Sequence, residues 1–246
     1  MKETAVSDLI IELLARRDVR LVVSTGAGVS AESGVPTFRD ESGLWKQFRP
    51  EDLATPEAFA ANPQRVWEWY EWRRGIIRTI EPNPGHVELA RWEGIFPNLR
   101  LITQNVDGLH RRAGSTQVIE LHGNIMLSHC QRCGKEAGGL GPSSDGTLPH
   151  CACGGPVRPS VVWFGEPLPE AALQDAWEAC ESAEVYFSVG TSGMVQPAAS
   201  LAFVAKRAGA YLVEVNPVET EISSIFDEVL RGPSGVVLPA LGRQLK

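Results

Sequence analysis

The sequence predicts an α/β fold, a Rossmann-like doubly wound parallel sheet that carries a smaller inserted module. Two observations lead to this prediction. Short apolar runs bounded by turn residues alternate along the chain with segments of helical periodicity, as in βαβ units. Two longer stretches interrupt this alternation, and we interpret them as insertions. The length of 246 residues suits one domain of this kind with an insertion.

The first predicted element is a helix near the amino terminus. Its apolar residues follow the i, i+3, i+4 spacing of one helical face and are Val6, Leu9, Ile10, Leu13 and Leu14. The later apolar runs are typical of parallel strands buried on both faces, and they cover 20–25, 99–103, 117–121, 185–190, 211–215 and 236–238. Helical patterns separate most of these strands and cover 84–95, 169–182, 197–208 and 218–230.

The two interrupting stretches are expected to form the smaller module. The first, 36–82, is rich in tryptophan and in helical patterns, and the second, 127–158, holds four clustered cysteines among turn residues. The sheet part then comprises 1–35, 83–126 and 159–246 of one domain that spans the chain. Because ligands of open α/β sheets bind beyond the carboxyl ends of the strands, we expect chemistry in the cleft between sheet and module.

Charge and composition exclude several classes of function. The chain carries 23 Lys and Arg against 30 Asp and Glu, and this net charge of −7 disfavours nucleic acids and anionic membranes as partners. No apolar run approaches the ~18 residues of a membrane-spanning helix. Charged residues interrupt the apolar positions of the first segment, unlike those of a secretory signal. We expect a cytoplasmic protein, and a monomer.

Four of the five cysteines are clustered in the sequence. Cys130 and Cys133 form a C-x-x-C pair, and Cys151 and Cys153 form a C-x-C pair after 17 intervening residues. Two close pairs can converge on a tetrahedral zinc ion, and four thiolates leave no open position, so such an ion is structural. Because the second pair is shorter than usual, His150 stays open as a ligand in place of Cys151. We expect one structural Zn²⁺.

A glycine-rich turn, TGAGVSAESGVP at 25–36, follows the first predicted strand. Gly26 and Gly28 permit a tight turn and close approach of the backbone to a pyrophosphate. The third glycine, Gly34, comes six positions after Gly28 rather than three, so the turn departs from G-x-G-x-x-G. The turn is therefore either structural or phosphate-binding. The aromatic and the cation that follow it within 37–40 favour binding.

Polar residues come directly after two further predicted strands. QNVDG at 104–108 follows one strand, and His122 follows the other. If these strands are neighbours, His122 lies near Asn105 and Asp107 at the carboxyl edge of the sheet. A histidine has a suitable pKa for a general base at neutral pH. A structural interpretation is kept for the remaining candidates His86, His110 and His129.

These motifs resemble the signature blocks of the sirtuins, the NAD-dependent protein lysine deacylases. The matching blocks, besides the paired cysteines, are GAGVSAESGVPTFR at 26–39, TQNVDGLH at 103–110, ELHG at 120–123, VVWFGE at 161–166, GTS at 190–192 and Asn216. They follow the family's order, and the resemblance extends over nearly the whole chain. The C-x-C pair departs from the family's usual spacing. The altered glycine spacing agrees with the resemblance, because sirtuins bind NAD inverted relative to dehydrogenases.

The resemblance implies an acyl transfer that consumes NAD. The acyl oxygen of a modified lysine attacks the nicotinamide ribose as nicotinamide leaves. His122 matches the catalytic histidine, which deprotonates a ribose hydroxyl that then attacks the acyl group. Water completes the reaction, and lysine and O-acyl-ADP-ribose are released. Asn105 matches the residue that positions the ribose and a water, and Asp107 matches the one that recognises the carboxamide.

The resemblance also implies the binding residues. For NAD these are Gly26, Ala27, Gly28, Glu32, Thr37, Phe38, Arg39, Trp45, Gln104, Asn105, Val106, Asp107, His122, Gly190, Thr191, Ser192, Asn216, Pro217, Val218 and Ser234. The implied partner is an acylated-lysine protein or peptide. Its backbone would pair, as an added strand, with Val162, Trp163, Phe164 and Gly165.

One predicted helical face indicates the acyl group. Tyr70 and Arg73 share 3–4 spacing with the aliphatic residues Val66, Ile77 and Ile80. A guanidinium there is costly without an anionic partner, and its planar fork matches a carboxylate. The pair resembles the Tyr-x-x-Arg of sirtuins that remove succinyl and malonyl groups as well as acetyl. We expect all three activities; the alternative interpretation is an ordinary salt bridge to a nearby glutamate.

Three other functions share features with this sequence. A hydride-transferring dehydrogenase shares the sheet and NAD, but the glycine spacing is against it. A zinc-ribbon module that binds nucleic acid needs a basic face, which the net charge of −7 disfavours. An ADP-ribosyltransferase begins with the same bond cleavage, so the sequence leaves it open as a minor activity.

Overall fold

A computed structural model describes residues 6–37 and 49–245 of the chain. The strands are β1 (Leu21–Thr25), β2 (Arg100–Thr103), β3 (Val118–Glu120), β4 (Gly123–Cys130), β5 (Val157–Val161), β6 (Val185–Val189), β7 (Tyr211–Val215) and β8 (Glu228–Leu230). Within the described residues, all but β4 and β5 form one parallel sheet in the order β3–β2–β1–β6–β7–β8. This is the strand order of a doubly wound sheet, so the predicted fold class is confirmed.

Polar caps and prolines determine where several helices begin. The helices are α1 (Asp8–Ala15), α2 (Ala27–Ala31), α3 (Pro50–Leu53), α4 (Pro56–Ala61), α5 (Pro63–Thr79), α6 (Pro84–Glu93), α7 (Leu109–Arg112), α8 (Glu170–Ser182), α9 (Ser200–Arg207) and α10 (Ser234–Gly242). The side chains of Ser7, Asn62 and Asn83 accept hydrogen bonds from backbone N–H groups in the first turns of α1, α5 and α6. Every described helix falls short of what a membrane span requires in length and hydrophobicity.

The sheet separates two hydrophobic cores, because successive strand residues point to opposite faces. Leu21 and Val23 of β1 pack with Leu14 of α1, Trp92 of α6 and Leu241 of α10. On the other face Val22 packs against side chains of α8 and α9. Burial on both faces explains why the central strands are continuous apolar runs.

The predicted strand at 236–238 is wrong. These residues lie inside α10, where Leu238 and Leu241 are fully buried against the core while Val236 is half exposed. A three-residue apolar run does not distinguish a strand from a helix by its period. Packing of α10 against α6 decides the outcome.

The predicted helix at 218–230 is also wrong. The segment contains a short 3₁₀ turn at Ser223–Ile225 and then β8, which pairs with β7 as the edge strand. Thr220 and Ser223 donate side-chain hydrogen bonds to the buried Glu214 carboxylate at 2.6 and 2.7 Å. These tertiary contacts hold the chain in a turn where its periodicity indicated a helix.

A third group of buried side chains lies beside the sheet. It joins the helices α3, α4 and α5 to the antiparallel pair β4–β5. Trp67 donates its indole hydrogen to Val157 O at 3.1 Å, and Phe59 and Trp163 pack at a centroid distance of 5.3 Å. This packing places α5 against the strands that begin and end beside the carboxyl edge of the large sheet.

Candidate active site at the carboxyl edge of the sheet

Two glycine turns meet where β1 and β6 end. The Gly28 N–H donates to Gly190 O at 2.8 Å, and the Gly26 N–H donates to Val189 O at 3.0 Å. A Cβ on Gly28 would lie 2.7 Å from Gly190 O, too close for any side chain. Gly190 has a φ of +61°, which favours glycine. The glycines thus let the two turns touch at the switch point, where doubly wound sheets bind ligands.

Asn105 and Asp107, which follow β2, are both held by Ser30 of α2. Asn105 Nδ2 donates to Gly26 O at 3.0 Å and to Ser30 Oγ at 3.1 Å. Ser30 Oγ donates to Asp107 Oδ2 at 2.8 Å, and the Leu109 N–H donates to Oδ1 at 2.9 Å. Burial raises the pKa of Asp107, and these hydrogen bonds oppose the rise. The amide and the carboxyl are therefore fixed in place at the edge.

His122 lies at the same edge, because β3 pairs with β2. Its Nδ1 is 2.8 Å from Gln104 O. A carbonyl oxygen can only accept, so Nδ1 carries the hydrogen and Nε2 of the neutral ring keeps its lone pair. Burial lowers the pKa of His122, and the hydrogen bond to Gln104 opposes this. The ring is therefore neutral at pH 7 and can accept a proton at Nε2.

Two more histidines lie beneath the edge and support it. The rings of His86 and His110 are 4.8 Å apart between centroids. His86 Nε2 is 3.3 Å from Ser30 Oγ, and His110 Nε2 is 2.9 Å from Thr25 Oγ1. Burial lowers the pKa of His86 to about 4; burial, with the neighbouring His86, lowers the pKa of His110 to about 3. Both rings are neutral and buried, in keeping with the structural interpretation.

Polar groups also line the edge beyond β6 and β7. Gln104 Nε2 donates to Thr191 Oγ1 at 3.3 Å, and Asn216 Nδ2 donates to Thr191 O at 3.0 Å. Ser234 Oγ donates to Glu32 Oε2 at 3.2 Å, and the backbone N–H that follows it donates to the same oxygen at 2.7 Å. The Glu32 carboxylate therefore caps the amino terminus of α10.

The segment 162–165 leaves β5 beside the histidine. The Val162 N–H donates to His122 O at 2.9 Å, and the Phe164 N–H donates to Ala54 O at 2.9 Å. The Phe164 side chain is 49% exposed. These two hydrogen bonds connect the segment to His122, which follows β3, and to Ala54, which follows α3.

Tyr70 and Arg73 lie on the face of α5 that turns toward the site. Tyr70 is 1% exposed and Arg73 6%. The Arg73 guanidinium lies over the Trp69 ring, 4.8 Å from its centroid. Burial lowers the pKa of Arg73, while the nearby Tyr70 and Asp107 oppose the shift. A small pocket at this guanidinium is lined by Val35, Pro36, Trp72, Arg73, Ile76 and Ile77.

The four clustered cysteines converge. The sulfur atoms of Cys130, Cys133, Cys151 and Cys153 all lie within 4.8 Å of one another, and His150 is not part of this group. A tetrahedral zinc ion with bonds of about 2.3 Å requires sulfur–sulfur distances of roughly 3.8 Å. The sulfur–sulfur distances are 3.5 Å for Cys130–Cys153 and 3.8 Å for Cys133–Cys151. The donor set therefore fits a structural Zn²⁺, and His150 is not needed as a ligand.

The structure places most of the predicted site residues along this edge. Ala27 begins α2, Val106 is buried beside the polar cluster, and Ser192, Pro217 and Val218 follow β6 and β7. Thr37 is the last described residue of its segment. The predicted contributions of Phe38, Arg39 and Trp45 lie outside the described residues.

Ser30 is a residue of this polar cluster that the sequence did not single out. It is fully buried and contacts Asn105, Asp107 and His86. The only signal available was its place inside the glycine turn, two residues after Gly28. A serine in a turn is so common that this position alone indicates nothing.

The sequence profile described as "Sir2 family" matches residues 26–197. The chain belongs to the Sir2 family. It is 56% identical over 211 residues to a protein of Aquifex aeolicus (strain VF5) described as "NAD-dependent protein deacylase", covering 85% of this chain and 88% of that one. The resemblance to the sirtuins is therefore confirmed.

Solved Sir2 structures are similar over the full length. A Sir2 homologue–NAD complex superposes with a TM-score of 0.90 at 44% identity, covering 100% of this chain and 96% of that one. A complex described as "Sir2-p53 peptide-NAD+" has a TM-score of 0.85 at 32% identity and covers 98% of both chains. This Sir2 protein therefore shares the whole fold with proteins that were solved with NAD and with a peptide.

Proposed function

We propose that this protein is an NAD-dependent protein lysine deacylase that removes acetyl and acidic acyl groups, succinyl and malonyl, from lysine side chains. The products are nicotinamide, O-acyl-ADP-ribose and free lysine. The similarity to a relative described as a deacylase and to complexes with NAD and a peptide supports the proposal. The observation that carries it is the orientation of His122 beside the polar cluster that follows β2.

His122 acts as the general base. Its Nδ1–H is engaged by Gln104 O, so the proton acceptor is Nε2, and the lowered pKa keeps this nitrogen unprotonated at neutral pH. When NAD is bound, it supplies the ribose hydroxyl from which this proton is taken. The same hydrogen bond holds the imidazole ring in one orientation, so the base does not have to find its position in each turnover.

The cluster around Ser30 orients the nicotinamide end. Ser30 holds Asn105 and Asp107 through their side chains, so their remaining oxygen lone pairs face a fixed direction. We assign the nicotinamide ribose and a water to Asn105, and the carboxamide to Asp107. Thr191, Asn216 and Ser234, at the ends of β6 and β7 and the start of α10, bind the adenosine part.

The peptide substrate binds along 162–165. The Val162 and Phe164 N–H groups are bonded inward, and the Trp163 backbone N–H and C=O groups bond Glu166, so a substrate strand would pair with the remaining main-chain groups of this short segment. This arrangement recognises the main chain of the substrate, which gives modest sequence selectivity. It directs the modified lysine to the edge where His122 lies.

The acyl group is recognised by Tyr70 and Arg73. A guanidinium with its planar fork can bind a carboxylate by two parallel hydrogen bonds, and the tyrosine hydroxyl adds a third. On the same helix Glu71 pairs with Arg74 at 2.7 Å and with Arg78 at 3.8 Å. The proximity of Arg73 to Asp107 brings acyl recognition to the reacting end.

The test removes the base while it keeps the fold. In His122→Ala we expect no acyl-lysine turnover and measurable NAD binding by calorimetry, because the imidazole ring and its bond to Gln104 O are lost while the other residues of the site remain. Turnover in His122→Ala at the rate of the unmodified enzyme would remove this residue from the role of base.

A further inference from the structure

The indole of Trp163 is hydrogen-bonded to the tyrosine of the acyl site. Trp163 Nε1 lies 2.8 Å from Tyr70 Oη, and both side chains are buried, at 2% and 1% exposure. An indole N–H can only donate, so the tyrosine oxygen accepts in this bond. The single hydrogen of the Tyr70 hydroxyl is therefore directed away from the indole, and it is free to donate to another group.

The protonation state of the Tyr70 hydroxyl also favours its role as a hydrogen-bond donor. Burial raises the pKa of Tyr70, with Arg73 and the hydrogen bond from Trp163 opposing the rise, so the hydroxyl is protonated at neutral pH. A protonated hydroxyl whose lone pair is occupied by a donor is a better donor itself, because hydrogen bonds in a chain polarise one another. An acyl carboxylate, which only accepts, is a matched partner for it.

Contacts with Arg158, Phe59 and Glu166 fix the position of Trp163. The Arg158 guanidinium stacks on its ring at 3.2 Å from the centroid, and Phe59 packs at 5.3 Å. Glu166 accepts a hydrogen bond from the backbone N–H of Trp163 at 2.8 Å and pairs with Arg158 at 2.5 and 2.9 Å. The indole therefore has one available orientation, in which its N–H reaches Tyr70.

We propose that the Trp163 side chain is a positioning and specificity-determining residue for acidic acyl groups: its indole N–H occupies the Tyr70 oxygen and so aims the Tyr70 hydroxyl hydrogen at the acyl carboxylate. This role belongs to the side chain and is separate from the substrate pairing of the 162–165 backbone. It rests on the proposed function of Tyr70 and Arg73. Acetyl-lysine has no carboxylate, so its turnover does not depend on the aim of this hydroxyl.

The test is a double-mutant cycle read as the ratio of succinyl to acetyl kcat/KM. Trp163→Phe keeps a stacked ring and removes the N–H together with part of the bicyclic ring; we expect the ratio to fall about tenfold, through KM for the succinyl peptide. Tyr70→Phe lowers it as well, and adding Trp163→Phe to Tyr70→Phe produces no further fall. Trp67→Phe is the matched control, since it removes a buried indole bond to Val157 O and leaves the ratio unchanged.

The outcomes separate this proposal from the function on which it rests. If Tyr70→Phe lowers the ratio and Trp163→Phe leaves it unchanged, the positioning role is wrong and acidic-acyl recognition stands. If Tyr70→Phe has no effect on the ratio, both the positioning role of Trp163 and acyl recognition by Tyr70 are wrong. Additive losses in the double variant would also overturn the proposal.

A second readout uses the unaltered chain and does not depend on variant folding. In protein labelled with ¹⁵N in its indoles, a succinyl-lysine peptide should shift the Trp163 N–H signal more than an acetyl-lysine peptide does. The reason is that a carboxylate bound to the Tyr70 hydroxyl makes its oxygen a stronger acceptor. Equal shifts with the two peptides would contradict the proposal.

Discussion

At the scale of single residues, one hydrogen bond sets the chemistry of the site. Gln104 O accepts from His122 Nδ1, and this fixes both the tautomer and the direction of the ring. The same principle governs Ser30, which accepts from Asn105 and donates to Asp107. A buried polar cluster with its bonds made has one arrangement, and that is what a reacting site needs.

The fall of kcat/KM at low pH is expected to follow the protonation of His122. Its pKa is lowered by burial from the ordinary 6.5, and only the neutral ring accepts a proton. We expect kcat/KM to be constant above the lowered pKa and to fall as the pH drops through it, with a midpoint below 6.5. Initial rates between pH 5 and 8 measure this. A midpoint above 6.5 would contradict the assignment.

The acyl specificity is tested at Arg73. In Arg73→Met we expect succinyl kcat/KM to fall by at least about tenfold, because charge-assisted hydrogen bonds to the carboxylate are lost, while acetyl turnover changes little. Arg78→Met, an exposed substitution on the same helix, should leave both unchanged. Equal losses for the two substrates in Arg73→Met would show a structural role instead.

The sequence predicts site residues that combine a chemically suitable side chain with a position directly after a buried strand. Asn105, Asp107 and His122 follow apolar runs directly, and parallel strands bring such positions together. The sequence does not predict the role of Ser30 or the Trp163–Tyr70 bond, since the partners are 56 or more positions apart and nothing in the local pattern links them. Long-range side-chain bonds are a property of the packed structure.

At the scale of elements, the site depends on the contact between the turns after β1 and β6. In Gly28→Ala the added Cβ would meet Gly190 O at 2.7 Å, so we expect a raised KM for NAD and a loss of about 1–3 kcal/mol in unfolding free energy. Gly75→Ala in α5 is the control, because nothing lies within 4 Å of its Cβ position. That change should stabilise by about 0.5–1 kcal/mol. Thermal unfolding and NAD titrations measure both; equal behaviour of the two variants would count against the contact.

The zinc cluster joins the elements on both sides of the site. β4 starts directly after His122 and reaches Cys130, and β5 ends directly before 162–165. We expect one zinc ion per chain by elemental analysis, and its removal by a chelator should lower Tm and abolish turnover.

Two substitutions distinguish the ligand sets. Cys151→Ser should lose the metal, whereas His150→Ala should keep it, since His150 is outside the sulfur cluster. The reverse result would restore the histidine alternative.

The sequence predicts the strands that are buried on both faces of the sheet. The five confirmed sheet strands are apolar runs between turn residues, and the caps of α1 and α6 are visible in the sequence. The prediction failed at 218–230 and 236–238, at the end of the sheet. There the Glu214 hydrogen bonds and the packing of α10 decide the structure, and a local period does not report them.

At the scale of the whole molecule, the buried neutral histidines make stability depend on pH. His86 and His110 have pKa values of about 4 and about 3, below the 6.5 of an exposed histidine. Below pH 6.5 the unfolded chain binds protons that the folded chain does not, so stability is lost as the pH falls.

At pH 5 this costs about 2 kcal/mol per histidine relative to pH 7. Urea unfolding at the two pH values measures it. In His110→Gln the difference should shrink by about 2 kcal/mol. A difference that does not change would mean that the ring is protonated in the folded protein.

We expect this site to transfer the acyl group, acidic acyl groups included, from lysine to the ADP-ribose part of NAD as nicotinamide leaves. The most direct measurement incubates the protein with NAD and a succinyl-lysine peptide and identifies the products by mass spectrometry. We predict free nicotinamide, unmodified lysine and O-succinyl-ADP-ribose. Turnover of an acetyl-lysine peptide alone would contradict the role of Tyr70 and Arg73, and no nicotinamide from either peptide would contradict the deacylase function itself.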